Sequence, residues 1–290
     1  CVFPLMREYL DGTTSSSLYE ARLGHEEFGG ETHAYSVAYT RREVLALRRF
    51  ADKVIFNSAS QFRALASAAG DRPLGLRVNP GVSYSHYDLA DPARRCSRLG
   101  VTDRRDLAEL APRLSGVMFH FNCENEDLEN LRGNLEHISA TYGDVLDRLQ
   151  WVSLGGGLFF TREGYPVEGF CALLKAFAER HGVQVYLEPG EAAITGAGEL
   201  VTTVLDVVHN EVDIAIVNAS IEAHMLDHLV YRTEARLTAP GPGPHRVMLA
   251  GRSCLAGDVF GTYSLSEPLR PGSEVRIGDA AGYTMVKKNW

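Results

Sequence analysis

The sequence predicts an α/β protein: a (β/α)8 TIM barrel lacking its first strand, followed by a mostly antiparallel β-domain. Short apolar, β-rich runs alternate with helix-length amphipathic stretches as far as about residue 190. This is the pattern of parallel strands joined by helices that cover the sheet. After Glu199 the helix signals fade and strand-like runs take over. The length of 290 residues suffices for one large barrel or for two ordinary domains. The expected domains are 1–197, an incomplete barrel, and 198–290, an incomplete β-domain.

The first strand is expected at His33–Tyr39, with a helix over Arg42–Asp52. Lys53–Asn57 reads as the next strand, and Ser58 as the N-cap of a helix reaching Ala69. Strand Leu74–Asn79 precedes a long loop and a helix over Thr102–Leu114. Gly116–Phe121, Leu149–Leu154 and Val183–Glu188 are the remaining strands, separated by helices at Asp127–Tyr142 and Val167–His181. Six strands in this rhythm fit an eight-stranded barrel without its first unit and with one strand unrecognised. A doubly wound open sheet is the alternative. In the second domain, strands are expected at Leu200–Val208, Val212–Val217, Arg246–Ala250 and Glu274–Ile277, with Pro240–Pro244 a stiff surface loop.

Apolar residues make up 45% of the chain and charged residues 23%, as in a soluble globular protein. The net charge of −8 disfavours nucleic acid and anionic membranes as partners. No run approaches the ~18 apolar residues of a membrane span. Five cysteines, Cys1, Cys96, Cys123, Cys171 and Cys254, are odd in number and irregular in spacing. That argues against a disulfide framework and against structural zinc, and no metal is expected. No signal-peptide pattern opens the chain, so a cytoplasmic enzyme is expected. A start on Cys1, with no Met, reads as a chain cut from something longer.

Five segments have the residue types that chemistry needs. In Ser153-Leu154-Gly155-Gly156-Gly157, three glycines follow a strand, and their N–H groups can approach a phosphate; a tight turn is the plainer reading. In Leu187-Glu188-Pro189-Gly190-Glu191, a carboxylate ends a buried strand. A protonated pyridine nitrogen would be a suitable partner, and a simple loop carboxylate is the other reading. His120, in Phe119-His120-Phe121-Asn122-Cys123-Glu124, stands where it can stack on a ring or shuttle protons, or be a satisfied structural residue. Cys254, in Gly251-Arg252-Ser253-Cys254-Leu255-Ala256-Gly257-Asp258, is either an exposed acid or nucleophile or a buried inert thiol. Tyr283, in Asp279-Ala280-Ala281-Gly282-Tyr283-Thr284, either offers its hydroxyl to a phosphate or substrate or belongs to the core.

In this order the segments resemble the fold-type III pyridoxal-phosphate (PLP) decarboxylases, the group of the ornithine, diaminopimelate and carboxynorspermidine decarboxylases. The similarity runs over nearly the whole chain and is greatest to the carboxynorspermidine (carboxyspermidine) branch. It is carried by Phe3–Ser17, by Val185–Ala192, by Cys254-Leu255-Ala256-Gly257-Asp258 and by Tyr283–Lys287. The resemblance implies PLP as cofactor and decarboxylation of a carboxylated polyamine in polyamine biosynthesis. It implies that His120 stacks on the pyridine ring and that Gly155, Gly156 and Gly157 cradle the phosphate. Glu188 would pair with the pyridinium nitrogen, and Tyr283 would lie near the phosphate. Cys254 would reprotonate the product from the neighbouring subunit of a homodimer. Glu191, Asp227 and Asp258 would bind substrate amines, and Glu191 fits a substrate of several positive charges. Arg252, Leu226 and Leu158-Phe159-Phe160 depart from the branch's pattern. Diaminopimelate or ornithine decarboxylation, a PLP racemase and a non-catalytic binding homologue are the alternatives.

The family's chemistry needs a Schiff-base lysine. Of the four lysines, Lys53 opens a strand, Lys175 lies mid-helix, and Lys287 and Lys288 are expected in the last strand of the β-domain. None ends a barrel strand. The resemblance places the lysine just before Cys1, so the 290 residues are expected to be a fragment, inactive by themselves. A short segment is also expected after Asn289-Trp290.

Overall fold

Alternate residues along the strands of the first unit face two different interiors. The computed structural model describes residues 2–85, 87–121, 123 and 125–286. Seven parallel strands lie side by side in chain order: β1 (Gly12–Ser15), β2 (Glu31–Ser36), β3 (Lys53–Phe56), β4 (Leu74–Arg77), β5 (Gly116–Met118), β6 (Trp151–Ser153) and β7 (Gln184–Tyr186). Val54, Phe56, Leu76, Val117 and Val152 turn to one face and join Phe62, Leu107, Ile138 and Phe177 of the helices. Ile55, Met118 and Trp151 turn to the other, with Tyr35 and Tyr186. Burial on both faces is why these strands read as apolar runs.

The sheet is curled. The ring of His33 on β2 lies 4.7 Å from that of Tyr186 on β7. A flat sheet would hold these strands ~24 Å apart, five spacings of about 4.8 Å. Strand order follows the chain without reversal, whereas a doubly wound sheet requires a reversal, so that alternative is removed. The strand missing from the sequence reading is β1. Each recognised strand also stops short of its expected C-terminal end, where the chain leaves the ladder for loops.

Glycines make room for the indole of Trp151. Gly75, Gly116 and Trp151 are register neighbours on β4, β5 and β6. A Cβ at either glycine would collide with the indole ring. The indole N–H donates to Ser115 Oγ at 3.0 Å.

The helices start and stop on local chemistry. Ser58 caps the helix Ala59–Leu65, its hydroxyl accepting the Gln61 N–H, as expected. Asp127 caps Leu128–Leu146 in the same way. The helix Val167–His181 ends at Gly182, at φ +64°. His181 pins these two helices together: Nδ1 meets Asp147 Oδ1 at 2.7 Å and Nε2 meets Ser139 Oγ at 2.9 Å. The trio has the composition of a hydrolase triad, but Ser139 is buried and Asp147 is the outermost member, so its role is structural.

The chain divides into the units Cys1–Pro189 and Gly190–Trp290, ahead of the boundary expected at 197/198. The second unit is a six-stranded sheet of β8 (Leu200–Asn210), β9 (Val212–Val217), β10 (Leu237–Ala239), β11 (Pro242–Ala250), β12 (Val259–Leu265) and β13 (Glu274–Ile277). Their order is β10-β13-β8-β9-β11-β12, and only β9 and β11 run parallel. Strands β10 and β12 were not expected, and Pro242–Pro244 opens β11 where a loop was expected. Short helices Ile221–His224 and Leu226–Tyr231 interrupt the strands. Tyr283–Val286 is a helical turn; Lys287 and Lys288, expected in a strand, lie outside the described residues. Among the described residues no helix is long and apolar enough to cross a membrane.

Replacing Gly116 with alanine forces a methyl group into the Trp151 ring. Overpacking of this kind costs about 1–3 kcal/mol, or about 2–4 °C per kcal/mol in a domain of this size. The melting temperature of Gly116→Ala, followed by circular dichroism, should fall accordingly; an unchanged midpoint would contradict the packing described.

Candidate functional site

The inward alternation of the first unit continues past the strand ends and brings Asn57, Arg77, His120, Ser153 and Glu188 to one end of the curled sheet. His120 follows β5, and its Nδ1 accepts the N–H of Gly156 at 3.0 Å. A backbone N–H can only donate, so the neutral ring has its proton on Nε2, facing Cys123 Sγ at 3.6 Å. Burial, with the Arg77 cation adding, lowers the His120 pKa to about 3. The arrangement suits a flat neutral ring better than a proton carrier.

Glu188 follows β7. Its Oε1 accepts the Ser153 hydroxyl at 2.5 Å, and Ser153 Oγ accepts the N–H of Gly155 at 3.2 Å. Removal from water raises the Glu188 pKa, while the Ser153 hydrogen bond and the Arg77 charge pull it back. No ion pair of Glu188 occurs among the described residues. The carboxyl is thus a charge-bearing group without a bonded cation, at the end of a strand. That fits a cationic ring nitrogen.

The three glycines divide their work. Gly155 and Gly156 give their N–H groups to Ser153 and His120. A Cβ at Gly155 would collide with the His120 ring, and one at Gly156 with the Glu188 carbonyl. Close approach therefore accounts for these two glycines, and their N–H groups are committed within the protein. Gly157, at φ +85°, keeps its N–H outside these bonds and is the member suited to a phosphate oxygen.

Sequence reasoning missed Arg77, Tyr35 and Asn57. Arg77 is buried; it donates to Tyr35 OH at 2.8 Å and to the His120 carbonyl at 3.2 Å. Tyr35 donates to Asn57 Oδ1 at 2.9 Å. Asn57 in turn bonds the Arg98 carbonyl and the Gly100 N–H, both at 2.9 Å, holding the long loop after β4. An arginine closing the apolar run Leu74-Gly75-Leu76 was the one trace in the sequence, and by itself it has no motif. Of the departures from the family pattern here, Leu158 joins the core and Phe160 stacks on Phe170 at 5.2 Å.

The remaining candidates belong to the second unit. Glu191 is exposed, with its side chain beside Gly282. Tyr283 is also exposed, and its hydroxyl lies near Gly190. Asp227 is half-buried in the first turn of Leu226–Tyr231. Cys254 is exposed, between β11 and β12. Asp258, expected to bind substrate, is instead buried, and both its oxygens accept backbone N–H groups, from Ile221 at 2.7 Å and Ser253 at 2.9 Å. Burial sets Asp258 apart from Glu191 and Asp227, the other two candidates for substrate amines.

No protein-family model matches the chain. The chain is 52% identical to a carboxynorspermidine/carboxyspermidine decarboxylase of Herminiimonas arsenicoxydans over 289 residues, which is 100% of this chain and 79% of that protein. It is 36% identical to a carboxyaminopropylagmatine decarboxylase of Synechocystis, over 98% of this chain and 75% of that protein. Among solved structures, carboxynorspermidine decarboxylase of Campylobacter jejuni complexed with norspermidine matches with a TM-score of 0.89 at 33% identity. That match covers 99% of this chain and 79% of the other.

The low His120 pKa has a consequence for acid stability. The unfolded chain protonates this residue below its ordinary 6.5, the folded one only below about 3. Between these values the unfolded state binds more protons, so stability falls as the pH falls. His33, lowered to about 4 by burial, acts in the same direction. Each should remove about 1–2 kcal/mol between pH 7 and 5. Urea midpoints across that range should decrease, and less steeply in His120→Asn; equal slopes would contradict the burial described.

Proposed function

The chain belongs to the carboxynorspermidine/carboxyspermidine decarboxylases, and from that membership we propose that it releases CO2 from carboxynorspermidine or carboxyspermidine with the help of PLP, in polyamine formation. The observation that supports this best is the Glu188 carboxyl: it follows β7, has no ion pair among the described residues, and shares its mouth with a neutral imidazole. We take the seven parallel strands as the wall of an eight-stranded barrel whose C-terminal strand ends form the active face.

A bound PLP would supply an electron sink for the electron pair left behind when CO2 departs. The chain's own residues prepare the place. Glu188 holds the proton at the ring nitrogen. His120 offers a flat neutral face, fixed by Gly156. Gly157 has an N–H for the phosphate. The Ser153 hydroxyl and, after it, the Arg77 charge oppose the rise that burial gives the Glu188 pKa. Cys254 gives the proton on Sγ to the carbon that lost CO2: the S–H bond breaks, a C–H bond forms, and water restores the thiol. Tyr283 serves the phosphate, and Glu191 and Asp227 serve the substrate's amines. Cys254 and its neighbours act on the site of a partner subunit, so a homodimer is part of the proposal, as is a cytoplasmic location.

Neither described lysine is placed to hold the cofactor. Lys53 opens β3, at the opposite strand ends, and is paired with Glu31. Lys175 is exposed on the helix Val167–His181. The cofactor's lysine is therefore assigned outside the described residues.

Protein made from the complete gene should release CO2 from carboxynorspermidine or carboxyspermidine. Release from diaminopimelate, ornithine or carboxyaminopropylagmatine in their place would refute the branch assignment, and no release from any would favour a binding role. Glu188→Gln should lower kcat by about a hundredfold or more, the scale of losing a preorganised charge. An unaltered rate would remove Glu188 from the site.

A further inference from the structure

Cys254 is exposed at the tip of the segment between β11 and β12, while Asp258 in the same segment is 3% exposed. The segment folds around the Asp258 carboxylate. Oδ2 accepts the N–H of Ser253, the residue before Cys254, at 2.9 Å. Oδ1 accepts the N–H of Ile221, the first residue of the helix Ile221–His224, at 2.7 Å. Main-chain bonds complete the wrap: Gly251 N–H to the Asp258 carbonyl at 2.8 Å, Asp258 N–H to the Leu255 carbonyl at 2.9 Å, and Arg252 N–H to the Ala219 carbonyl at 3.1 Å. A Cβ at Gly251 would collide with the carboxylate. Arg252 supplies an N–H that the family's expected proline lacks.

A carboxylate withdrawn from water has to be compensated. Here the compensation comes from two backbone donors on different segments, through charge-assisted bonds stronger than neutral ones. One segment presents Cys254. The other leads into Glu222 and Asp227. We infer that Asp258 is a positioning residue that clamps the Cys254 loop onto residues 219–221, and so sets where the thiol stands relative to Glu222 and Asp227. This rests on the reading of Cys254 as proton donor. Without the clamp the thiol is poorly aimed, so proton delivery slows and goes astray while substrate still binds.

The test uses the holoenzyme from the complete gene and the variants Asp258→Asn, Gly251→Ala and Cys254→Ala. Asp258→Asn keeps the side chain's size but turns one acceptor into an NH2 group facing an N–H. Gly251→Ala keeps the carboxylate and displaces it, which covers a failure of Asp258→Asn to fold. Iodoacetamide labelling, resolved by peptide mass, is followed at Cys254 with the exposed Cys96 and Cys171 as internal references. In both clamp variants the labelling rate of Cys254 should change by about twofold or more, as the loop that presents the exposed thiol is released, with both references unchanged. kcat should fall about tenfold with KM within about twofold, and amine product should lag behind CO2. Unchanged Cys254 labelling and kcat in a folded variant, or an equal change at all three cysteines, would overturn the clamp. If Cys254→Ala itself retains full kcat and amine yield, the proton-donor reading fails, and the labelling still decides on the clamp.

Discussion

One hydrogen bond organises the mouth of the first unit: the N–H of Gly156 donating to Nδ1 of His120 at 3.0 Å. It fixes the imidazole's tautomer, because the donor is a backbone amide and cannot reverse. It also requires the triple-glycine loop to lie against the ring, which side chains at 155 or 156 would prevent. The same loop is stitched to the end of β7, with Leu154 N–H on the Tyr186 carbonyl and Glu188 N–H on the Gly155 carbonyl, both at 2.9 Å. The ends of β5, β6 and β7 are thereby held as one piece. The Ser153–Glu188 bond depends on this, since Ser153 ends β6 and Glu188 lies on the extension of β7 that the loop ties to it.

The electrostatics of the mouth follow from that geometry. Arg77 is a buried cation whose bonds go to neutral oxygens, on Tyr35 and on the His120 backbone. Glu188 is an anion whose bond is to a hydroxyl. Each lowers the other's cost of burial without direct pairing, so neither charge is cancelled at close range. Burial, and after it the Arg77 cation, lowers the His120 pKa, and a proton on Nδ1 would also oppose the Gly156 N–H. The result is one cation, one anion and one neutral ring, a set that suits a ligand with an anionic end and a protonated aromatic nitrogen.

Legibility in the sequence tracked burial and spacing. Strands buried on both faces, such as Lys53-Val54-Ile55-Phe56, announce themselves by composition. Gly12-Thr13-Thr14-Ser15 does not: it is short and polar, and only its parallel pairing with Glu31–Ala34 makes it a strand. In the second unit Leu237–Ala239 is too short to read, and Pro242-Gly243-Pro244 looks like a loop until its pairing with β12 is seen. Arg77 was invisible for another reason. A lone arginine after Leu74-Gly75-Leu76 has no motif, and its meaning comes from Tyr35, far away in the chain. His120, Glu188 and the glycines were legible because each ends a strand or follows one, where alternation alone aims side chains at the mouth.

Asp258 shows where such legibility stops. In sequence it is one more acid near a cysteine, equivalent to Glu191 and Asp227 for a cationic substrate. Burial separates them. Asp258 is 3% exposed and each of its oxygens accepts a backbone N–H, so it is turned away from a ligand arriving from solvent. Glu191 instead lies at the surface, beside Gly282. On the proposed function, attraction of a polyamine would fall to the acids nearer the solvent. The buried one would act on geometry, through its bond to the N–H of Ser253 beside the thiol.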